Sequence, residues 1–241
     1  MLGVVVVTYN SARYVQKCLD SLVREIERSQ VCVVDNASED ETRKAVSDYR
    51  DIFLLKNEKN IGFSRAVNMG VQHWLTQGAE KILVLNADTA LERGSIEEME
   101  ATLDRHPKAM IVQPLLTLMK SPQKVNTWGN VHKGFGLVSL GGYRQSIPTD
   151  LRDRPIEFAS GACMLIRSKA FKKFGYFDEQ YFLYFEDSEF SQRVRRGGGE
   201  IWLSARARVQ HDHAFPLSPQ KALHFIRSWR RFSSTFSDVL S

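Results

Sequence analysis

Residues 4–7 of the chain are four consecutive valines, and unbroken apolar runs return at 31–34, 52–55, 82–85 and 110–112. Runs of that length without alternation mark strands buried on both faces. Between them the apolar positions change to helical spacing: Tyr14, Val15, Cys18, Leu19 and Leu22, then Val67, Gly70, Val71 and Trp74, then Ile96, Met99 and Leu103. Ser11 is placed to cap the first helix, and Ser38 and Glu41 have the spacing of a capping box for the second. Strand and helix in strict alternation predict an α/β fold, a mostly parallel twisted sheet with helices on both faces.

The pattern dissolves over residues 114–155, where Gly129, Gly134, Gly136, Gly141 and Gly142 predict an irregular insertion or a pair of hairpins. Strand character returns over 157–167, broken at Ser160-Gly161-Ala162. An aromatic run at 182–185 leads through Glu186-Asp187-Ser188-Glu189 into a short helix ending at Gly197. Residues 201–203 and 207–210 are strand-like, and the second run delivers His211. The tail from Lys221 sets Ala222, Phe225, Ile226, Trp229 and Phe232 against Arg227, Arg230 and Arg231. That pattern suits a core-packing helix and a helix lying on anionic lipid equally well. The expected organisation is one catalytic domain over 1–213 and a basic helical tail over 214–241.

A length of 241 residues allows one domain with a substantial core, and the 25% charged fraction excludes wholesale disorder. The net charge of +5 is compatible with phosphorylated ligands, and nucleic acid is not an expected partner. Cys18, Cys32 and Cys163 are dispersed in apolar contexts, as buried thiols are in a reducing compartment. No apolar run reaches membrane-spanning length and no charged leader precedes the first strand, so a cytoplasmic protein is expected, with the tail as the candidate for peripheral contact.

In parallel sheets, ligands bind beyond the carboxyl ends of the strands. The residues there are Thr8, Tyr9 and Asn10, then Asp35 and Asn36, then Asn86, Ala87 and Asp88. Asp88 suits a hard divalent cation that neutralises a departing diphosphate, although an aspartate after a strand also caps loops. Glu186 and Asp187 favour a helix N-terminus, but their aromatic approach also shields a general base and raises its pKa. His211 ends a strand and is a candidate second ligand, Mg²⁺ preferring oxygen; His213 is read as structural. Asp35 could accept the imide N–H of a pyrimidine base. Asn60, Arg65 and Asn68 bracket a helix start where a diphosphate would find amides and a guanidinium.

Taken in order, these segments resemble the family 2 glycosyltransferases of the GT-A fold, and most of all the rhamnosyltransferase-like members that build bacterial surface polysaccharides. The matching stretches include Val6-Val7-Thr8-Tyr9-Asn10, Val34-Asp35-Asn36-Ala37-Ser38, Asn60-Ile61-Gly62-Phe63-Ser64-Arg65 and Leu85-Asn86-Ala87-Asp88. Ser160-Gly161-Ala162, Phe174-Gly175-Tyr176-Phe177-Asp178-Glu179, Tyr184-Phe185-Glu186-Asp187 and Val209-Gln210-His211 follow. The resemblance spans residues 3–213 and implies a small antiparallel extension to the sheet. It implies that Thr8, Tyr9, Asn10 and Asp35 hold the nucleoside, with Asn60, Arg65, Asn68, Asn86 and Ala87 around ribose and diphosphate. Asp88 and His211 would bind Mg²⁺ or Mn²⁺, Asp187 would be the base, and Gly161, Ala162 and Glu186 would face donor sugar and acceptor.

The first acid of the family's D-x-D motif is Asn86 here, which shifts the metal's weight to Asp88. The glycine-serine that usually follows His211 is replaced by Asp212-His213-Ala214-Phe215. The implied reaction is a single in-line displacement, with inversion, from a dTDP- or UDP-sugar (dTDP-rhamnose first) to a glycan or lipid-linked acceptor. Acceptor recognition would then fall to the 114–155 insertion and the tail; no feature bears on oligomeric state. Two rivals differ in class. A sugar nucleotidyltransferase or a dinucleotide oxidoreductase would need a glycine-rich loop after the first strand, which Thr8-Tyr9-Asn10-Ser11 is not. A catalytically silent glycan-binding scaffold has no evident use for Asp88, Asp187 and His211 together.

Overall fold

A computed structural model describes residues 1–133, 137–212 and 218–236. The expected strands form: β1 (Leu2–Thr8), β2 (Val31–Asp35), β3 (Phe53–Lys56) and β4 (Lys81–Asn86) run parallel in the order β3-β2-β1-β4. Buried β-branched residues on alternate sides of β1 explain why it is central. Val4 and Val6 face α1 (Val15–Leu22) and α4, while Val5 faces α3 (Phe63–Thr76). β5 (Thr89–Leu91) leads into that α4 (Ser95–Arg105), and β6 (Ala109–Leu118) extends the sheet.

The insertion has more order than its sequence suggests. β6 turns back into β7 (Ser121–Thr127), and β8 (Asn130–His132) pairs with β9 (Val138–Leu140) in a second, two-stranded sheet. The pair of hairpins is thus the correct alternative, although Gly134 and Gly136 lie outside the described residues. After β10 (Arg154–Pro155), β11 (Cys163–Arg167) inserts antiparallel between β4 and β6. Its run is shorter than the 157–167 expected. α5 (Ser168–Phe174) and α6 (Glu186–Arg196) pack on the α3 face through Phe171, Phe190 and Val194. The two strand-like runs at the end merge into one long β12 (Glu200–His211), parallel to β6 with an irregularity between Ser204 and Arg208.

The tail helix α7 (Pro219–Thr235) buries Phe232, and with Phe236 it packs against Phe158, Tyr181 and Phe185. One face of the tail is therefore core. Among the described residues no helix is long and apolar enough to cross a membrane. Residues 214–217 and 237–241 of the expected tail, and His213, lie outside the described residues. All three cysteines are buried free thiols.

Two caps differ from expectation because their side chains are used by neighbouring loops. α1 begins at Val15 and Ser11 contributes its carbonyl, while its hydroxyl donates to Tyr9 O at 3.2 Å. α2 (Thr42–Ser47) is opened by Asp40, whose carboxylate accepts from Thr42 N at 3.0 Å; the Ser38 hydroxyl accepts from Asn10 N at 2.9 Å instead.

α3 lies tight on β1. Trp74 Nε1 donates to Val4 O at 2.8 Å, and a Cβ at Gly70 would sit 2.5 Å from Val5 Cγ1. Alanine in a helix gains about 1 kcal/mol over glycine, whereas overpacking a core costs about 1–3 kcal/mol, and the stiff valine cannot swing away. Gly70→Ala is expected to lower the denaturant midpoint; an unchanged or raised midpoint in equilibrium unfolding would contradict this packing.

Candidate active site

The carboxyl ends of β1 and β2 are locked together by Asp35. Its fully buried carboxylate accepts from Thr8 Oγ1 at 2.9 Å, Ser38 N at 3.1 Å and Arg43 Nε at 2.5 Å. Burial pushes the Asp35 pKa up, and these donors outweigh it and hold the group below the ordinary carboxylate range. Asp35 is thus a charged strut that ties the two strand ends together. Asn10 adopts a left-handed backbone with φ of 48° and accepts from Glu39 N at 2.9 Å, which joins the two loops. Tyr9 is half exposed beside them and offers an open ring face.

Asn60 belongs to the same edge through Asn36, which donates to Asn60 Oδ1 at 2.8 Å and accepts from Asn57 Nδ2 and Ile61 N, each at 3.1 Å. Gly62, with φ of 88°, lets this loop meet Phe182: a Cβ there would lie 2.8 Å from the Phe182 carbonyl oxygen.

Arg65 and Asn68 point elsewhere. Asn68 is buried and clasps the Phe177 backbone, donating to its carbonyl at 2.9 Å and accepting from its amide at 3.1 Å. Arg65 pairs with Glu179 at 3.2 Å on the surface. Both fasten the 175–181 segment to α3 rather than face the cleft. Ala87 is also core, 3% exposed, so only its backbone reaches the site.

Asp88 and His211 are brought together by the backbone. β5 pairs antiparallel with β12, placing Thr89 opposite His211, and Asp212 N donates to Asp88 O at 2.9 Å. His211 Nδ1 lies 3.0 Å from Asn126 Oδ1. Nε2 lies 3.5 Å from Asp88 Oδ1, and that oxygen is buried without a hydrogen bond. A carboxylate oxygen and an imidazole nitrogen at this separation fit a divalent cation between them, since ligands about 2.1 Å from an octahedral ion are about 3 Å apart. Among the described residues no cluster of three or more His, Cys, Asp or Glu is arranged for a metal. Two protein ligands suffice where diphosphate oxygens and water supply the rest.

Asp187 enters from the other side. Tyr184 and Phe185 both have left-handed backbones, with φ of 70° and 67°, and this turn starts α6 with its acids aimed inward. Asp187 Oδ2 accepts from Gly161 N at 2.8 Å, and Oδ1 from Ser188 N at 2.6 Å. Burial raises the Asp187 pKa, and the hydrogen bonds only partly offset this. Glu186 is more deeply buried, its Oε2 lacks a partner, and burial and the neighbouring Asp187 charge raise its pKa. Glu189, by contrast, is taken by Arg193 at 2.6 Å.

Asp88, His211, Asp187 and Glu186 line one cleft of about 340 Å³, together with Asn86 and the Gly161-Ala162 turn. Its walls also include residues to which the sequence assigns no role: Asn126 and Asn130 from the insertion, and Lys221 and Phe225 from α7. The insertion and tail thus do reach the site. Nothing short of the β6–β7 pairing marks Asn126 as the partner of His211.

The chain matches glycosyl transferase family 2 over residues 3–175. It is 30% identical to an N-acetylglucosaminyl-diphospho-decaprenol L-rhamnosyltransferase of Mycobacterium tuberculosis, covering 93% of this chain and 80% of that protein. It is 25% identical to the dTDP-rhamnosyl transferase RfbF of Shigella flexneri, covering 80% of this chain and 63% of that one. Its fold is that of GalNAc-T7, crystallised with UDP, GalNAc and Mn²⁺: TM-score 0.77 at 15% identity, over 97% of this chain and 47% of GalNAc-T7. Strand-end loops, paired acids and sequence agree, and the chain belongs to glycosyl transferase family 2, with the GT-A fold and rhamnosyltransferases among its relatives.

Proposed function

We propose that this glycosyltransferase moves rhamnose from dTDP-rhamnose to a hydroxyl of a diphospholipid-linked glycan, inverting the anomeric carbon. The observation carrying this reading is that Asp187 and the Asp88–His211 pair open onto the same cleft. The names of two relatives support the sugar and the acceptor: one is an N-acetylglucosaminyl-diphospho-decaprenol rhamnosyltransferase and one a dTDP-rhamnosyl transferase.

The Thr8–Asn10 and Asp35 edge, with Asn60 below it, receives the nucleoside, Tyr9 supplying the exposed ring. Asp35 acts by holding that edge in shape. Asp187, steadied by Gly161 N–H and Ser188 N–H, takes the proton of the acceptor hydroxyl. A raised pKa makes it a stronger base than an exposed aspartate. Asp88 and His211 would hold Mn²⁺ or Mg²⁺, which would supply positive charge where the diphosphate leaves. One displacement without a covalent intermediate inverts configuration. A lipid-borne acceptor places the reaction at a membrane surface, where exposed Leu223 and Ile226 beside Arg227 and Arg230 suit anionic headgroups.

Asp187→Asn is expected to cut kcat by about 100-fold or more while dTDP affinity stays near wild type; comparable turnover in a transfer assay would remove Asp187 as base. Because the base must be deprotonated and its pKa is raised, kcat/KM is expected to fall on acidification with a midpoint above about 4, the ordinary aspartate value. A midpoint at or below that value would contradict the burial argument. Asp88→Ala is expected to abolish the gain in dTDP affinity that Mn²⁺ gives wild type, read by calorimetry with and without EDTA. Wild-type affinity that is indifferent to EDTA would eliminate the ion.

A further inference from the structure

Behind the cleft, a second cavity of about 510 Å³ is lined by Lys120, Lys124, Tyr143 and Arg144, and it shares His211 and Asp212 with the first. Its charge is one-sided. Three cationic side chains face a single carboxylate, Asp212, which is nearly buried, hydrogen-bonded to Tyr14 and 3.8 Å from Lys120 Nζ. The cations are fixed by secondary structure. Arg144 holds a left-handed backbone with φ of 62°, its amide donating to Val125 O at 2.8 Å, and its guanidinium lies 5.4 Å from the Tyr143 ring centre. Lys124 Nζ donates to Ser146 Oγ at 3.0 Å across the same pairing. A non-glycine residue held at positive φ costs about 1 kcal/mol or more, and here it presents a guanidinium to the cavity.

We propose that this cavity is an anion subsite for the acceptor, holding the diphosphate that links the acceptor sugar to its lipid while the sugar's hydroxyl lies in the cleft beside Asp187. The proposal rests on the transferase reading and names the substrate class at its acceptor side. A diphosphate diester carries two negative charges, which the three cations together with the one carboxylate, a net of two positive charges, match. The cavity volume also exceeds what a lone phosphate fills. Arg144 can grip a phosphate with two N–H groups, and the lysines act as point charges. The donor's diphosphate belongs on the other side of His211, against Asp88.

The test is calorimetric titration in EDTA with two synthetic probes: an N-acetylglucosaminyl diphosphate ester of a short alcohol, and the uncharged alkyl glycoside of the same sugar. Wild type is expected to bind the charged probe about tenfold tighter or more, as charge-assisted contacts allow, with a preference that shrinks at high salt. The variant K120A/K124A/R144A should lose that preference. A charge-matched control, K44A/K169A/K172A, should keep it, which separates a local site from net charge. Equal binding of the two probes by wild type, or an undiminished preference in K120A/K124A/R144A, overturns the proposal. Affinity for dTDP in Mn²⁺ should be the same in wild type and the cavity variant, and a parallel loss would assign the cavity to the donor and overturn the acceptor assignment. Absence of Mn²⁺-dependent dTDP binding in wild type would instead count against the transferase reading, leaving the probe comparison intact.

Discussion

Buried polar atoms left without hydrogen bonds around one cleft, Asn126 Nδ2 among them, are the constraint on which the rest of this molecule depends. Asp88 Oδ1 and Glu186 Oε2 are buried without a partner, and His211 turns Nε2 toward the first of them. Each unsatisfied buried acceptor costs about 1–3 kcal/mol, so the framework around them must be rigid enough to hold the arrangement. It is. Asp88 is pinned by the β5–β12 ladder and Asp212 N, and Asp187 by the Gly161 amide. Buried acceptors without a hydrogen bond are what a cation and an acidic hydroxyl hydrogen can satisfy.

Chain topology explains how distant residues share that space. β1, β2 and β4 run parallel and end at one edge, so Thr8, Asp35 and Asn86 emerge together. β11 runs the opposite way between β4 and β6, so it starts at that same edge, and the turn before it brings Gly161 to Asp187. β12 is parallel to β6 and returns there with His211. Residues far apart in the chain therefore meet along one line of strand ends, and the α7 helix closes the aromatic flank through Phe225 and Phe232.

The parallel core was legible because buried strands and amphipathic helices impose their own periods, and the strand-end rule then pointed to Asp88 and His211. Where side chains are bonded by distant segments, spacing gives no sign of it. Arg65 and Asn68 sit at a helix start, where an anion would be welcome, but their partners Glu179 and Phe177 come from a segment whose return over α3 leaves no periodic trace. Asp35 lies at its strand end, and its hydrogen bonds from Thr8, Ser38 and Arg43 depend on loop conformation that spacing does not encode. Asn126 stayed hidden for the same reason: its register against β6, not its neighbours in sequence, delivers it to His211. Asp187 accepts an amide of its own helix, as an acid at a helix start does, and also lines the cleft.

A crystal structure with dTDP and Mn²⁺, read by the anomalous signal of the ion, tests the central claim most directly. The account predicts one ion about 2.1 Å from Asp88 Oδ1 and His211 Nε2, bridged to the diphosphate, with the Asp187 carboxylate facing the space beyond. An ion bound away from both side chains, or a nucleotide whose diphosphate lies outside the cleft that Asp187 lines, would contradict it.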